Sequence, residues 1–193
     1  MVQRNAGQQS QGSMSGSGRL ENQIAQMAQM VSARAMATSG TSNESGAGEQ
    51  YLIFSLLDRE FAFPAETVQG VERLGDVTAV PHVASWIAGV INLRGSICSV
   101  VDLRSFLDME RLPFNPRTRL LSVKYNEMLV CLVVDSVSEM VPISPRAIDS
   151  NLRSIPSWAS TYSSGLAAVG KRRVILLDAG RLLFSDKMHH YST

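Results

Sequence analysis

Two stretches of this chain share one pattern at an offset of 76 residues. GVINLRGSICSVVDLRSFL (89–107) aligns with GLAAVGKRRVILLDAGRLL (165–183), with Gly89 on Gly165 and Asp102 on Asp178. An apolar strand precedes each aspartate, and a short helical stretch ending in Leu107 or Leu183 follows it. The runs upstream also correspond: TVQGVERL (67–74) resembles VVDSVSEM (133–140), with Val68 on Val134 and Val71 on Val137. A repeat of roughly 70 residues predicts two small subdomains of the same build. Neither is large enough to bury a sufficient core alone, so the two are expected to share a hydrophobic seam.

The runs themselves read as strands. YLIFSLL, EFAFP and TVQGVERL are short, rich in aliphatic and aromatic residues, and separated by "DRE" and "PAE". Charged breaks of two or three residues between such runs predict hairpins. TRLLSVKY, "NE" and MLVCLVVDSVSEMV repeat the pattern. The seven prolines, from Pro64 to Pro156, fall at the breaks, as a sheet requires. Many short strands with frequent turns predict a mainly β protein of barrels or a sandwich, not a βαβ alternation.

The first 48 residues differ in composition. Residues 1–19 and 37–49 are rich in Gly, Ser, Gln and Thr and cannot bury enough apolar area to offset chain entropy. A disordered tail is expected over 1–48. Within it, Leu20, Ile24, Met27 and Val31 step by four, three and four, which predicts a short amphipathic helix over 20–36, either transient in the tail or docked on a partner or on the chain's own domain. The opening MVQRNAGQQSQGS has no apolar core of a signal peptide, and no apolar run approaches a membrane span. A cytoplasmic protein without direct membrane insertion is expected. Cys98 and Cys131 lie in apolar runs and read as buried thiols. A formal net charge of +1 gives no electrostatic footprint for nucleic acid.

Little in the sequence suggests catalysis. His82, His189 and His190 and the two cysteines match no zinc spacing, Ser163-Ser164-Gly165 lacks a G-x-S-x-G frame, and Gly165–Gly170 lacks the order of a phosphate loop. No catalytic residue, metal or cofactor is expected. Asp102 and Asp178 each end a strand and open a helical turn, the place for an N-cap. Arg94 stands apart. Its counterpart in the second repeat is Gly170, so the fold does not need a cation there, and Gly95 lets the backbone turn and project the guanidinium. Arginine suits an interface, since its planar fork pairs with carboxylates and its stem packs on apolar surface. A solvated loop arginine is the alternative.

FSLLDREFAFPAETVQGVERL, VPHVASWIAGVINLRGSICSVVDLRSFL and GLAAVGKRRVILLDAGRLL, in this order, closely resemble the CheW-like family of bacterial chemotaxis adaptors. The likeness covers about residues 49–186, leaving 187–193 as a C-terminal tail. It implies two pseudo-symmetric five-stranded SH3-like β-barrels packed across an apolar interface. It implies a non-catalytic adaptor, monomeric outside arrays and recruited to membrane-associated receptor arrays. Its partners would be the cytoplasmic tip of a chemoreceptor and the regulatory domain of a CheA-type histidine kinase. By the same resemblance Arg94 lies beside the receptor groove, with Val68, Val71, Gly89, Asn92 and Gly95 lining the region. The chain departs from the family at Gly70, where many relatives carry an acid, and at Ser99, where proline is usual. Gly70 suggests a specialised partner, such as the receptor and kinase of a surface-motility system. A diverged SH3-like module binding another protein is the alternative; nucleic acid is disfavoured by the charge, and no kinase or receiver segment is recognisable.

Overall fold

A computed structural model describes residues 48–190. Among them the chain forms β1 (Glu49–Leu56), β2 (Arg59–Pro64), β3 (Val68–Arg73), β4 (Ile87–Leu93), β5 (Ser96–Asp102) and α1 (Leu103–Phe106). Then come β6 (Arg119–Tyr125), β7 (Met128–Val134), β8 (Ser136–Ile143), β9 (Ile148–Asp149), α2 (Ser157–Ser160), β10 (Ser163–Val169), β11 (Arg172–Leu177), α3 (Ala179–Leu183) and α4 (Asp186–His189). The fold is mainly β and two-part, as the repeat predicts. One sheet runs β3-β6-β7-β5-β4 and the other β8-β1-β2-β11-β10, with the two-residue β9 added at its edge. Neither sheet closes into a full ring, but each bends in the SH3-like manner around a core of its own. We call them barrel 1 and barrel 2. The expected tail over 1–48 and its helix over 20–36 lie outside the described residues, apart from Gly48.

The register shows how the repeats build the barrels. β1 pairs with β2 across a tight turn at Leu57 and Asp58, and β6 with β7 across Asn126 and Glu127; Leu57 and Asn126 both have positive φ. β11 runs parallel to β2, and β5 runs parallel to β7. Matching strand for strand, β1, β2, β3, β4 and β5 correspond to β6, β7, β8, β10 and β11. Each barrel therefore takes its first hairpin from one repeat and its last three strands from the other. The break "PAE" is thus not a hairpin. It holds a 3-10 turn, Ala65–Thr67, through which the chain leaves barrel 2 for barrel 1, and it returns at Asp135. Strand pattern alone fixes a strand's faces but not its neighbour.

The exchange also corrects the alignment of the upstream runs. In β3 a bulge separates Val68, opposite Val123, from Gly70, opposite Ser122. In β8 the same bulge separates Val137, opposite Phe54, from Glu139, opposite Ile53. Val68 therefore matches Val137 and not Val134, Val71 matches Met140 and not Val137, and Gly70 matches Glu139. Bulges shift register by one residue and are invisible to apolar spacing. The downstream match holds residue for residue: Gly89 lies opposite Val100 as Gly165 lies opposite Leu176, each just after a bulge.

Three cores result. Cys98, Val100, Leu120, Cys131 and Val133 fill barrel 1. Tyr51, Ile53, Ala62, Ile143, Ala167, Val174 and Leu176 fill barrel 2. The largest cluster lies on the opposite sheet faces, between the barrels, and includes Phe54, Phe61, Phe63, Leu103, Phe106, Leu121, Leu132, Leu177 and Leu182. This is the shared seam that the small repeat size requires. The boundary after residue 186 needs correction, because residues 187–190 are not a free tail. Met188 on α4 is buried in the seam and Lys187 pairs with Asp108 at 2.8 Å.

The capping expectation is met at both strand ends. Asp102 Oδ1 accepts from the backbone N–H groups of Arg104 at 3.1 Å and Ser105 at 3.4 Å. Asp178 Oδ1 accepts from the N–H of Arg181 at 2.9 Å. Satisfying these otherwise orphan donors typically contributes about 1 kcal/mol per cap.

Candidate functional site

The β4–β5 hairpin turns on two residues, Arg94 and Gly95, between Leu93 and its partner Ser96. Both have positive φ, 53° and 91°. A two-residue turn of this kind matches the strand twist but needs the left-handed region, which glycine enters freely and a branched or long side chain enters at a cost. Gly170 takes the equivalent place between β10 and β11, with φ 61°. Arg94 thus sits where the fold itself favours glycine. Asn92 stabilises the turn, its Oδ1 accepting the N–H of Gly95 at 2.8 Å.

The Arg94 side chain is 70% exposed. Its Nη2 donates to Glu72 Oε1 on β3 at 3.4 Å. β3 and β4 are opposite edges of the barrel 1 sheet, so this contact draws the hairpin toward the far edge. Gly70, two residues before Glu72 on the same strand, lies beneath the pair. A Cβ there would come 3.2 Å from Ser122 Oγ and 3.8 Å from Arg94 Nη2. On β3 the carboxylate that meets Arg94 is therefore that of Glu72, two residues along from Gly70. The sequence carried that signal as the spacing of Glu72 from Gly70 on one strand, at the period of two that puts residues on one face.

Four of the six expected site residues prove to have structural jobs. Val68 and Val71, 1% and 5% exposed, belong to the seam core, where their side chains are closed to a partner. Gly89 has φ 145°, and a Cβ on it would meet Thr78 O at 2.2 Å, because the 75–80 segment bridges to Val90 there. Gly165 is crowded likewise by β9. The Gly89–Gly165 match thus reports a strand crossing at close range. Asn92 is exposed but engaged by the turn. Arg94 and Gly95 are left as the accessible point of the hairpin. Ile97, three residues on, is 72% exposed.

A second polar cluster escaped sequence reasoning. Arg104, in the VVDLR run, is 2% exposed. Its guanidinium lies 3.3 Å from Asp135 and 3.8 Å from Asp102, donates to Leu112 O at 2.7 Å, and faces the Phe114 ring at 5.9 Å. Asp135 in turn accepts the N–H of Leu57 at 2.6 Å. Arg104 thereby ties barrel 1 to the crossover and to the first hairpin of barrel 2. Its counterpart, Gly180, has Tyr125 packed over it. The one available signal was an arginine in VVDLR where the second repeat has glycine.

Among the described residues no three His, Cys, Asp or Glu side chains gather as a metal site, and no helix is long and apolar enough to cross a membrane. Burial in barrel 1 and the adjacent Cys98 push the Cys131 thiol up to about 12, so it stays protonated and unreactive at neutral pH.

Comparison with known proteins agrees with this architecture. The chemotaxis protein CheW of Klebsiella aerogenes is 30% identical over 141 residues, which is 73% of this chain and 85% of that protein. Protein PilI of Pseudomonas aeruginosa is 33% identical over 87 residues, 45% of this chain and 49% of PilI. The solved structure of the scaffolding protein TtCheW from Thermoanaerobacter tengcongensis matches with a TM-score of 0.67 at 23% identity, over 72% of this chain and 95% of that one, a likeness of fold. The model of the CheW-like domain matches residues 50–187, nearly the whole described region, and the chain belongs to the CheW-like domain family.

Proposed function

We infer that the chain is a non-catalytic signalling adaptor that couples a chemoreceptor-type protein to a CheA-type histidine kinase. The observation that carries the role of Arg94 is its placement: an exposed arginine held at positive φ, where the equivalent turn of barrel 2 uses glycine. Backbone strain at an exposed side chain is expected where that side chain serves contact and not folding. The guanidinium is only loosely held by Glu72, so a receptor carboxylate or backbone carbonyl can take its donors. The likeness to PilI extends this reading to surface-motility signalling, and Glu72 in place of an acid at Gly70 would set the partner. Recruitment to membrane-associated receptor arrays follows from the same role.

The test is reconstitution with a CheA-type kinase and a receptor signalling fragment from the same organism. Wild type should raise kinase autophosphorylation only when receptor is present, and Arg94→Glu should lose most of that rise while melting like wild type. No effect of the wild-type protein on any kinase and receptor pair would withdraw the adaptor role in favour of a β-barrel module with another protein partner.

A further inference from the structure

The barrels present equivalent sheet faces of opposite character. In barrel 2, Ala168 pairs with Arg173 and Leu56 with Arg59, and β11 runs parallel to β2 with Val174 opposite Glu60, so Arg173 and Arg59 lie level. The two arginines, with Asp58, Glu60 and Arg172, line an open cleft. In barrel 1 the places of the two arginines are apolar. Ile97 pairs with Asn92 and Met128 with Tyr125, and Val100 opposite Cys131 puts Ile97 level with Met128. Phe184 extends the row, its ring 5.9 Å from that of Tyr125. Ile97, Tyr125 and Phe184 are 72%, 41% and 49% exposed, and Met128 is half-buried. The row continues the apolar face of the seam past its edge into solvent, and contiguous apolar surface of this kind marks a contact site.

We propose that this stripe, Ile97–Met128–Tyr125–Phe184, is covered by the chain's own segment 20–31, docked as an amphipathic helix. Four apolar side chains, Leu20, Ile24, Met27 and Val31, share one face of that helix. From Leu20 to Val31 a helix rises about 16 Å. The stripe spans two strand spacings and one ring contact, about 15 Å. Met27 has the unbranched flexibility to fill an irregular surface. The tether fits as well. Sixteen residues separate Val31 from Gly48, and the steps between the two reach roughly 56 Å when extended, beyond the width of a small domain. A tether long enough to span the distance raises the segment's effective concentration at its site, so weak apolar contacts suffice. A second copy is a poorer occupant, because four side chains fall well short of the roughly 800 Å² per partner of a stable interface. Ile97 lies three residues from Arg94, so the docked segment flanks the hairpin. On the adaptor reading above, tail and receptor then compete.

The docking is tested in the full-length chain, without receptor or kinase. A spin label is attached at Gln29→Cys, on the polar helix face; Cys98 and Cys131 are 4% and 0% exposed and do not take label. Methyl spectra are compared before and after reduction of the label. The Ile97 and Met128 methyl signals should lose most of their intensity, to the same degree on dilution, while Val174 in barrel 2 keeps its own. Ile24→Asp with Met27→Asp should restore the Met128 signal, and so should Ile97→Asp, whose exposed side chain leaves the fold intact. Undiminished Ile97 and Met128 signals overturn the proposal. So does broadening that fades on dilution, which would assign the stripe to a second copy, or broadening that survives both sets of substitutions. None of these outcomes depends on the adaptor role.

Discussion

Barrel 1 and barrel 2 share strand order, both bulges, both aspartate caps and both crowded glycines, yet they differ at matched places, three of which set the turn, the clamp and the barrel core apart. Arg94 answers to Gly170 at the hairpin turn, Arg104 to Gly180 after the cap, and the Cys98–Cys131 pair to Val174 and Ala62 inside the barrel. Shared features are those the backbone needs to close and cross itself. The differences show where the fold leaves a choice, and these three give barrel 1 a guanidinium at two places and thiols at the third, where barrel 2 has glycine or aliphatic side chains. The acid–base contacts at the sheet edges follow the same line. In barrel 2, Arg172 is held between Glu60 and Glu139, the residue that matches Gly70. In barrel 1 Ser96 stands where barrel 2 has Arg172, and the edge contact is instead the single pair Arg94–Glu72, which leaves Arg94 open to solvent. One barrel has closed its charges against each other, and the other presents its charge outward.

The comparison can be broken most forcefully at Arg104. Arg104→Ala leaves Asp135 without its buried cation and Leu112 O without its donor, and should lower stability by about 3 kcal/mol in urea unfolding. Arg181→Ala, at a half-exposed pair with Asp178 in barrel 2, should change it by less than about 0.5 kcal/mol. Equal effects would mean that the clamp between barrels is not special to the first repeat.

Next in size is the response to alkali. The Cys131 thiol is raised in the folded protein from an ordinary value of about 9 to about 12. Between those limits the unfolded chain has lost the proton and the folded chain keeps it, so stability falls as pH rises through this window, at up to about 1.4 kcal/mol per pH unit from this one group. Below about pH 8 the group contributes no slope. Cys98→Val with Cys131→Ala, which copies barrel 2, should flatten the decline in denaturant titrations between about pH 9 and 10.5. An unchanged slope would show that other groups cause the alkaline loss.

A smaller effect is expected at the turns. Arg94→Gly should stabilise the fold by up to about 1 kcal/mol by relieving the left-handed arginine, and Gly170→Arg should cost a similar amount. Thermal melts of the two variants and of the double exchange would show whether the turns are interchangeable for folding. Least of all, Glu72→Gln should shift stability by under about 0.5 kcal/mol, since its pair is largely solvated. Its value is as a sharper probe, because it frees Arg94 without removing it, and receptor affinity can then be read apart from stability.

Much of this was legible in the chain. The 76-residue echo gave the two-part fold, the aspartates gave the caps, and the glycine opposite Arg94 marked that arginine as dispensable for folding. The site was less legible. Val68, Val71 and Gly89 sit near the hairpin in sequence order, but burial and a close strand crossing occupy them, and neither condition has a local signature. Glu72 was in view and passed over, because its relation to Arg94 runs between opposite sheet edges. Arg104 and Asp135 meet only after the chain has crossed between barrels.

What the sequence determined by itself is local: strand faces, turn positions, caps, and the repetition of one unit, all set by spacing over a few residues and by backbone chemistry. What only the tertiary structure decided is which strands are neighbours. The exchange of hairpins between repeats, the register shift at the two bulges and the buried arginine clamp depend on contacts between residues 31 to 114 positions apart. Such pairings are selected by the collective burial of the seam, a property of the assembled surface that no short window of sequence contains.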